Sequence, residues 1–441
     1  MGSCGAWAMP PVDGLLIQAS PGEQRIALLS AGQVVEFRIE RGAAAPGDIL
    51  LGRVVSLIRP LGAALVEIGE PLPGFLNQAK DLSEGQSLPV QVTASARGTK
   101  GAELSAAPSL QGGLLAYSPF RPGFSLSRRI VAEKERARLS ELLKPLRRED
   151  EGLVVRTQAE GAPEQALLFE LEALRGQWRD IRAAMAVAAA PAPLRVPSAL
   201  SRLLGEHAAI RRVTVDDRAA LAGLREQFPG TDFQADAFAD AADLLDQALA
   251  PRVALPGGGA LEIGTVAGIT VIDIDSGSGA PLEANLAAVP EIARQLRLRG
   301  LSGHILVDVI PMRERRSLAQ ISEALRQAVV ADPTPTQVVG TTPLGMVELT
   351  RERRGSSLAE CLMADASPRL SDDSLGLEAL AALLREAGAA PGRRLALAAA
   401  PAVAATLRRR PAAVAETERR LGHALSLRDD AGLDGWRIIE E

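Results

Sequence analysis

Apolar positions change period several times along the chain, and each change predicts a different kind of element. Over residues 15–41 they alternate with polar ones in three short runs, LLIQAS, QRIALLS and QVVEFRIE, separated by turn residues. That predicts a few strands, too small a set to fold alone and completed by strands from later in the chain. From Gly47 to Ser109 five more runs follow between glycine turns, DILLGRVVSLI, GAALVEIG, GFLNQ, SLPVQVTAS and GAELSAA, which predict a small OB-type barrel. Residues 112–190 read as mixed structure, with a charged helix over 132–148, a strand over 153–157 and a helix over 163–178. AAAPAPLRVP at 188–197 reads as a proline-alanine linker, and residues 1–11 as an unstructured lead-in. Helices are expected at 198–206, 218–227 and 236–250, then a hairpin over 252–263 around its glycines.

The next stretch carries candidate chemistry. Residues 265–275 form an apolar, β-branched run that predicts one buried strand, and Asp273 and Asp275 interrupt it near its C-terminal end. Side chains two apart on a strand emerge on one face, so these two acids project together. A helix over 283–298 and a second apolar strand over 305–310, with Asp308 in it, complete a crossover unit. Such a unit lays its two strands side by side and can bring both acidic positions to one edge. Clustered carboxylates repel, so a cation between them is expected, and a few hard oxygen ligands with room for water and phosphate suit Mg²⁺ or Mn²⁺. The plainer account is that each Asp caps a turn or faces solvent. A helix over 317–330, opened by a serine cap, and strands at 337–339 and 346–350 follow; residues 375–440 read helix, strand, helix, strand, strand.

Charge changes this picture little in sum and more in distribution. The net charge is −5, which argues mildly against a general nucleic-acid binder. Positive charge is almost all arginine, gathered at Arg294/Arg297/Arg299, Arg313/Arg315/Arg316 and Arg351/Arg353/Arg354, close in sequence to the acidic strands. Arginine forks there fit phosphodiester binding, while the plainer account is solvated helix faces. With 47% hydrophobic residues the 441-residue chain can bury several cores. No apolar run has transmembrane length and no signal pattern opens the chain, so a cytoplasmic protein without a membrane span is expected. Cys4 and Cys361 lie far apart and suggest neither a disulfide nor a metal site, and His207, His304 and His423 are scattered.

ITVIDIDSGSG followed by NLAAVPEIARQLRLRGLSGHILVDVIPM resembles the catalytic core of the ribonuclease E/G family of bacterial endoribonucleases. GDILLGRVVSLIRPLGAALVEIG and RGTKGAELS resemble that family's inserted RNA-binding OB domain, and GRRLALAAAPAVAATL its C-terminal small domain. The resemblance covers roughly residues 14–441. It implies an α+β and α/β multidomain fold: a ribonuclease H-like subdomain in two parts (14–41 and 198–263), an OB-fold domain (42–111), a 5′-end sensor region (112–197), a DNase I-like catalytic subdomain (264–365) and a small α/β domain (372–441).

By the same resemblance Asp273 and Asp308 hold a catalytic Mg²⁺, and Asp275 stands where an asparagine is usual, to orient water or phosphate. Pro311 stands where the family usually has another acid. Phe75 and Lys100 match the RNA-holding aromatic and base of the barrel, while Leu65 replaces a second aromatic. Gly112, Ala116, Arg156 and Thr157 match the 5′-monophosphate sensor, although a further sensor arginine aligns with Pro335, which implies weak 5′-end dependence. The family's zinc-sharing cysteines are replaced by Ser367-Pro-Arg-Leu370, so no structural zinc and no zinc-linked tetramer are expected, and a homodimer is possible. With no long scaffold after the small domain, the chain is expected to be closer to the short ribonuclease G type. The activity implied is Mg²⁺-dependent endonucleolytic cleavage of single-stranded, A/U-rich RNA in rRNA processing and mRNA decay, leaving 5′-phosphate and 3′-hydroxyl ends. The alternative is a catalytically weakened RNA-binding member of the same family, and no feature favours a phosphodiesterase acting on DNA.

Overall fold

A computed structural model describes residues 11–42, 44–79, 81–96, 100–256, 258–277, 280–312, 314–330, 332–364, 369–390 and 392–441. Most of the expected lead-in, Arg313, and Ser367 and Pro368 of the zinc-motif phrase lie outside those residues. The chain divides into two compact units, residues 43–208 and residues 1–42 with 209–441.

In the 43–208 unit, alternation builds the barrel. Strand Ile49–Ile58 pairs antiparallel with both Ala63–Glu67 and Ser87–Ala94, and Gly74–Leu76 and Glu103–Ser105 complete the closed ring. Val54, Ala64, Val66, Leu76, Val90 and Leu104 fill its interior. Gly52 is required there, because a Cβ would come within 2.5 Å of Val66 Cγ1. The stretch expected as a linker is instead partly a strand: Ala192–Arg195 pairs antiparallel with Ile49–Ile58, extending the sheet with backbone hydrogen bonds that a linker would leave to water. Beside the barrel, strands Leu110–Gln111, Leu115–Ser118, Gly152–Val155 and Gly123–Leu126 form a second sheet. Helix Glu164–Val187 lies against it through Leu167, Leu171, Leu174, Trp178 and Ile181, so the apolar stripe carries this helix nine residues beyond the expected end at 178. The charged helix is shorter than expected, Glu133–Leu143.

In the other unit, Gly14–Ser20, Glu23–Ser30 and Gln33–Glu40 form an antiparallel meander, joined in parallel by Arg212–Val215 and then Thr231–Phe233. Those two late strands were invisible to the pattern, being only three or four residues long, RVTV and TDF, and at least half polar. A second, six-stranded sheet runs Arg252–Ala254, Gly259–Val266, Ile269–Ser276, Gly303–Asp308, Val347–Arg351, Thr336–Thr341. The run 265–275 is therefore not one strand. It turns at Ala267-Gly268, both at positive φ (50° and 85°), a two-residue hairpin of the primed type. Because Gly259–Val266 pairs with Ile269–Ser276 along its length, a boundary at 263/264 cuts a sheet. The crossover is present: Ile269–Ser276, helix Pro281–Leu298, then Gly303–Asp308 in parallel.

Helices Pro281–Leu298 and Arg315–Val329 cover one face of this sheet with Val289, Ile292, Leu296, Ile321 and Leu325 against Ile272, Ile274, Ile305 and Val307. The second of these helices starts at Arg315 with no side-chain cap; Ser317 lies inside its first turn. Buried Asn285 clamps the chain just past Asp308, donating from Nδ2 to the Ile310 carbonyl (3.0 Å) and accepting at Oδ1 from the Ile310 amide (3.0 Å). The C-terminal part has its own small sheet, with Leu395–Ala399 between Leu427–Asp429 and Trp436–Glu440 and helices Asp372–Ala389, Pro401–Arg408 and Pro411–Leu421 beside it.

The arginine clusters are largely structural. Arg297 is buried on Glu36 (3.1 Å), and Arg351 makes a two-pronged pair with buried Asp332 (2.8 and 3.2 Å) and donates to the Leu301 carbonyl (2.7 Å). Arg299 is buried too, and burial, with Arg294 nearby, pushes its guanidinium down to about 10. Arg294, Arg316 and Arg353 pair with Glu291, Glu314 and Glu360. Arg351→Ala, which strands the Asp332 carboxylate, is expected to cost about 3–5 kcal/mol in a urea titration, and an unchanged midpoint contradicts this. Asn285→Ala leaves both Ile310 backbone groups unpaired and is expected to cost about 1–3 kcal/mol or more in the same measurement.

Candidate functional site

The acids lie on the face of the six-stranded sheet that the helices leave open. Along Ile269–Ser276 burial alternates: Ile272 and Ile274 face the core, Val271, Asp273 and Asp275 face out. Along Gly303–Asp308, Ile305 and Val307 face in, and His304, Leu306 and Asp308 face out. The parallel register sets Asp273 directly beside Asp308. Side chains at paired positions share a face, and neighbouring strands run about 4.8 Å apart, so the two carboxylates stand side by side. Asp308 is half-buried and Asp273 exposed. His304 pairs with Ile269, a full four residues back from the acids.

Two further residues shape this strip. Glu262 pairs with Asp273 on the other flank, so the three adjacent strands carry Glu262, Asp273 and Asp308 in line. Arg252, on the neighbouring strand opposite Glu262, donates from Nη1 to Glu262 (2.7 Å) and from Nη2 to Asp275 (2.9 Å). Its guanidinium is held above the usual arginine range by the Glu262 hydrogen bond first and the Asp275 bond second. Sequence reading had passed over both residues, because a hairpin drawn to end at 263 separated them from the acids; once Gly259–Val266 is in register with Ile269–Ser276, the alternation in ALEIG points Glu262 outward. No group of three His, Cys, Asp or Glu side chains close enough to share an ion occurs among the described residues. The candidate donor set is the pair Asp273 and Asp308. That fits Mg²⁺ or Mn²⁺, which are commonly held by one or two carboxylates with the remaining positions left to water and substrate phosphate.

The barrel residues are placed as follows. Phe75 is half-buried and points away from the interior that Leu76 fills; it is paired across strands with Leu65 on one side and Glu103 on the other. Its outward position is not that of a core residue. Lys100 is exposed, just before Gly101, where a Cβ would come within 1.9 Å of the Pro73 carbonyl oxygen.

Of the four residues expected in a sensor, two meet directly: Arg156 Nη1 donates to the Gly112 carbonyl, and also toward Gly205 O (3.4 Å). Thr157 shares a hydrogen bond with the Ser127 hydroxyl (2.9 Å), and buried Ala116 lies in the strand between Gln111 and Val154. The Gly112 amide is taken by the Leu115 carbonyl (2.8 Å). Glu170, which sequence reading missed, occupies the neighbouring Leu114 and Leu115 amides (2.8 and 2.7 Å), and a Cβ on Gly112 would strike its Oε1 at 2.3 Å. Cys361 is half-buried, and its burial pushes the thiol up to about 11. No helix among the described residues is long and apolar enough to cross a membrane.

A family model described as the Ribonuclease E/G family matches residues 109–354, a span that holds both acidic strands. Ribonuclease E of Nostoc sp. is 34% identical over 388 residues, 78% of this chain and 56% of that protein. Ribonuclease G of Haemophilus influenzae is 30% identical over 404 residues, 80% of this chain and 82% of that protein, and ribonuclease G of Escherichia coli K12 is 30% identical over 398 residues, 79% and 81%. The match thus spans little more than half of the ribonuclease E relative and about four fifths of the ribonuclease G relatives. On that likeness across the two acidic strands and most of the chain, the protein belongs to the ribonuclease E/G family.

Proposed function

We propose that this chain is a divalent-metal-dependent endoribonuclease that cuts single-stranded, A/U-rich RNA, with rRNA precursors and mRNA as its substrate class, and leaves 5′-phosphate and 3′-hydroxyl ends. The observation that carries this is the in-register pair Asp273 and Asp308 on an open sheet face, in a chain of this family. These two carboxylates would hold Mg²⁺, or Mn²⁺. When bound, the ion would acidify a water and offset charge at the scissile phosphate.

The chain's own residues do the rest. Asp275 would accept a hydrogen from the attacking water and so aim it. An acid beside a phosphodiester is repulsive, and Arg252 offsets part of that: its single positive charge is shared between Asp275 and Glu262. Phe75 would stack a base and Lys100 would meet a backbone phosphate on the barrel surface, with Leu65 beside Phe75 giving apolar contact but no second ring. Gly112, Ala116, Arg156 and Thr157 would meet a 5′-phosphate only after Arg156 gives up the Gly112 carbonyl, which supports weak 5′-end dependence. The ribonuclease H-like and DNase I-like descriptions of the two large sheets of the 1–42 and 209–441 unit belong to this proposal. So does an OB-type role for the barrel.

Asp273→Asn and Asp308→Asn are each expected to lower metal-dependent cleavage of a labelled single-stranded RNA by at least about a hundredfold while RNA binding in EDTA is kept. Binding without metal-dependent cleavage in the unaltered chain would instead support a catalytically weakened RNA-binding member. Arg252→Ala is expected to reduce cleavage up to about fivefold, the range of an exposed ion pair, and Asp275→Asn added to it should restore part of the loss. A double variant no better than Arg252→Ala alone contradicts the compensating role.

A further inference from the structure

The loop between strands Leu115–Ser118 and Gly123–Leu126 presents Phe120 and Arg121 at its tip. Phe120 is 43% exposed, yet its ring is fixed edge-on against nearly buried Trp178, with centroids 5.3 Å apart at 81°. The loop is seated rather than loose: a Cβ on Gly152 would come within 2.0 Å of the Arg121 carbonyl oxygen, and the Gly123 amide donates to the Glu151 carbonyl (3.2 Å). An exposed ring held this way loses little conformational freedom when something stacks on it.

Phe120 lines a cavity of about 420 Å³ whose charged wall is Arg148, Arg175, Arg179 and Arg182 with Asp150, Glu151 and Glu172, an excess of one positive charge. Arg175, Arg179 and Arg182 recur at i, i+4 and i+7 along one face of helix Glu164–Val187. Arg175 is committed, bound to Glu151 (2.6 Å) and to the Leu146 carbonyl (2.7 Å); against the opposing effect of burial, its hydrogen bond holds the Glu151 carboxyl below the usual range. Arg179 and Arg182 are exposed and make no ion pair with any described residue. On its other side the loop walls a polar cavity of about 650 Å³ beside the barrel, shared by Phe120 and Arg121 with Asn77, Gln91, Thr93 and Ser105. Arg121 also lines a third cavity, about 410 Å³, with Gln111. Between them, Phe120 and Arg121 thus line all three of these cavities within this unit.

We propose that this loop is a stacking post for single-stranded RNA, separate from Phe75 and Lys100. A base lies on the open face of Phe120, its flanking phosphates meet Arg179 and Arg182, and the strand continues past Arg121 over the amide- and hydroxyl-lined cavity. Ring, guanidinium forks and neutral polar groups in that order fit a nucleotide chain; an acidic peptide would use the arginines and leave the ring idle. The inference rests on the RNA-cleavage reading but uses none of its residues.

The test is equilibrium binding of the full chain, in EDTA, to a fluorescein-labelled mixed-sequence RNA of about 15 nucleotides, read by anisotropy across a salt series. Phe120→Leu keeps the packing on Trp178 and removes the π-face, so about tenfold weaker binding is expected, with Phe120→Trp near the unaltered chain. Arg179→Ala with Arg182→Ala should flatten the salt slope by about 1.4, two phosphates on a single strand. If the unaltered chain binds RNA and these variants bind it equally well, the stacking post is overturned and the cleavage reading stands. If the unaltered chain binds no RNA, both fall. Displacement of the RNA at equal concentration by polyglutamate, or by AMP alone, also overturns it, in favour of an acidic peptide or a free nucleotide.

Discussion

Strand register is the constraint from which the candidate site follows. A parallel crossover sets Asp273 beside Asp308, and two like charges at the spacing of neighbouring strands, about 5 Å, oppose each other by roughly 1 to 4 kcal/mol between full solvent screening and a protein-like dielectric. A purely structural sheet would gain from an apolar or oppositely charged residue at either place. The repulsion persists because both side chains stand on the open face, where solvent and a cation can reach them, while Ile272, Ile274, Ile305 and Val307 secure the same strands from behind. A slip of one residue in either strand would turn its acid into that core.

The arginines around this sheet divide by the face they serve. Arg297, Arg299 and Arg351 are interior groups that tie helix Pro281–Leu298 and strand Val347–Arg351 to their surroundings, so they are not available to a phosphate. Arg252 lies on the acidic face and holds two carboxylates at once. Its presence gives a physical account of an acid at 275: the charge that would repel a phosphodiester is already shared with a guanidinium.

Much of this was legible in the sequence. Alternation located the five barrel strands, helical spacing placed 218–227 to the residue, and the strand-helix-strand pattern put the two acids on adjacent parallel strands. What was missed has physical reasons. Thr265 to Asp275 reads as one apolar run because Ala267-Gly268 turns without a polar residue, and with that turn hidden, Glu262 and Arg252 were assigned elsewhere. Prolines made 188–197 look like a linker, although an edge strand tolerates proline where its missing N–H faces away from the ladder. Charge clusters near acids fitted either a phosphate surface or solvated helix faces, since a buried, paired arginine and an exposed one are spelled the same way. Arg156 and Gly112 meet in the structure, but Glu170, fourteen residues on in a helix, left no signal that it would fill the neighbouring amides.

The central claim is that Asp273 and Asp308 jointly hold one divalent cation. Its most direct measurement is Mn²⁺ binding to the full chain by electron paramagnetic resonance, compared with Asp308→Asn, without RNA. One Mn²⁺ bound by the unaltered chain and lost in the variant is the predicted result; equal Mn²⁺ binding by both would contradict it.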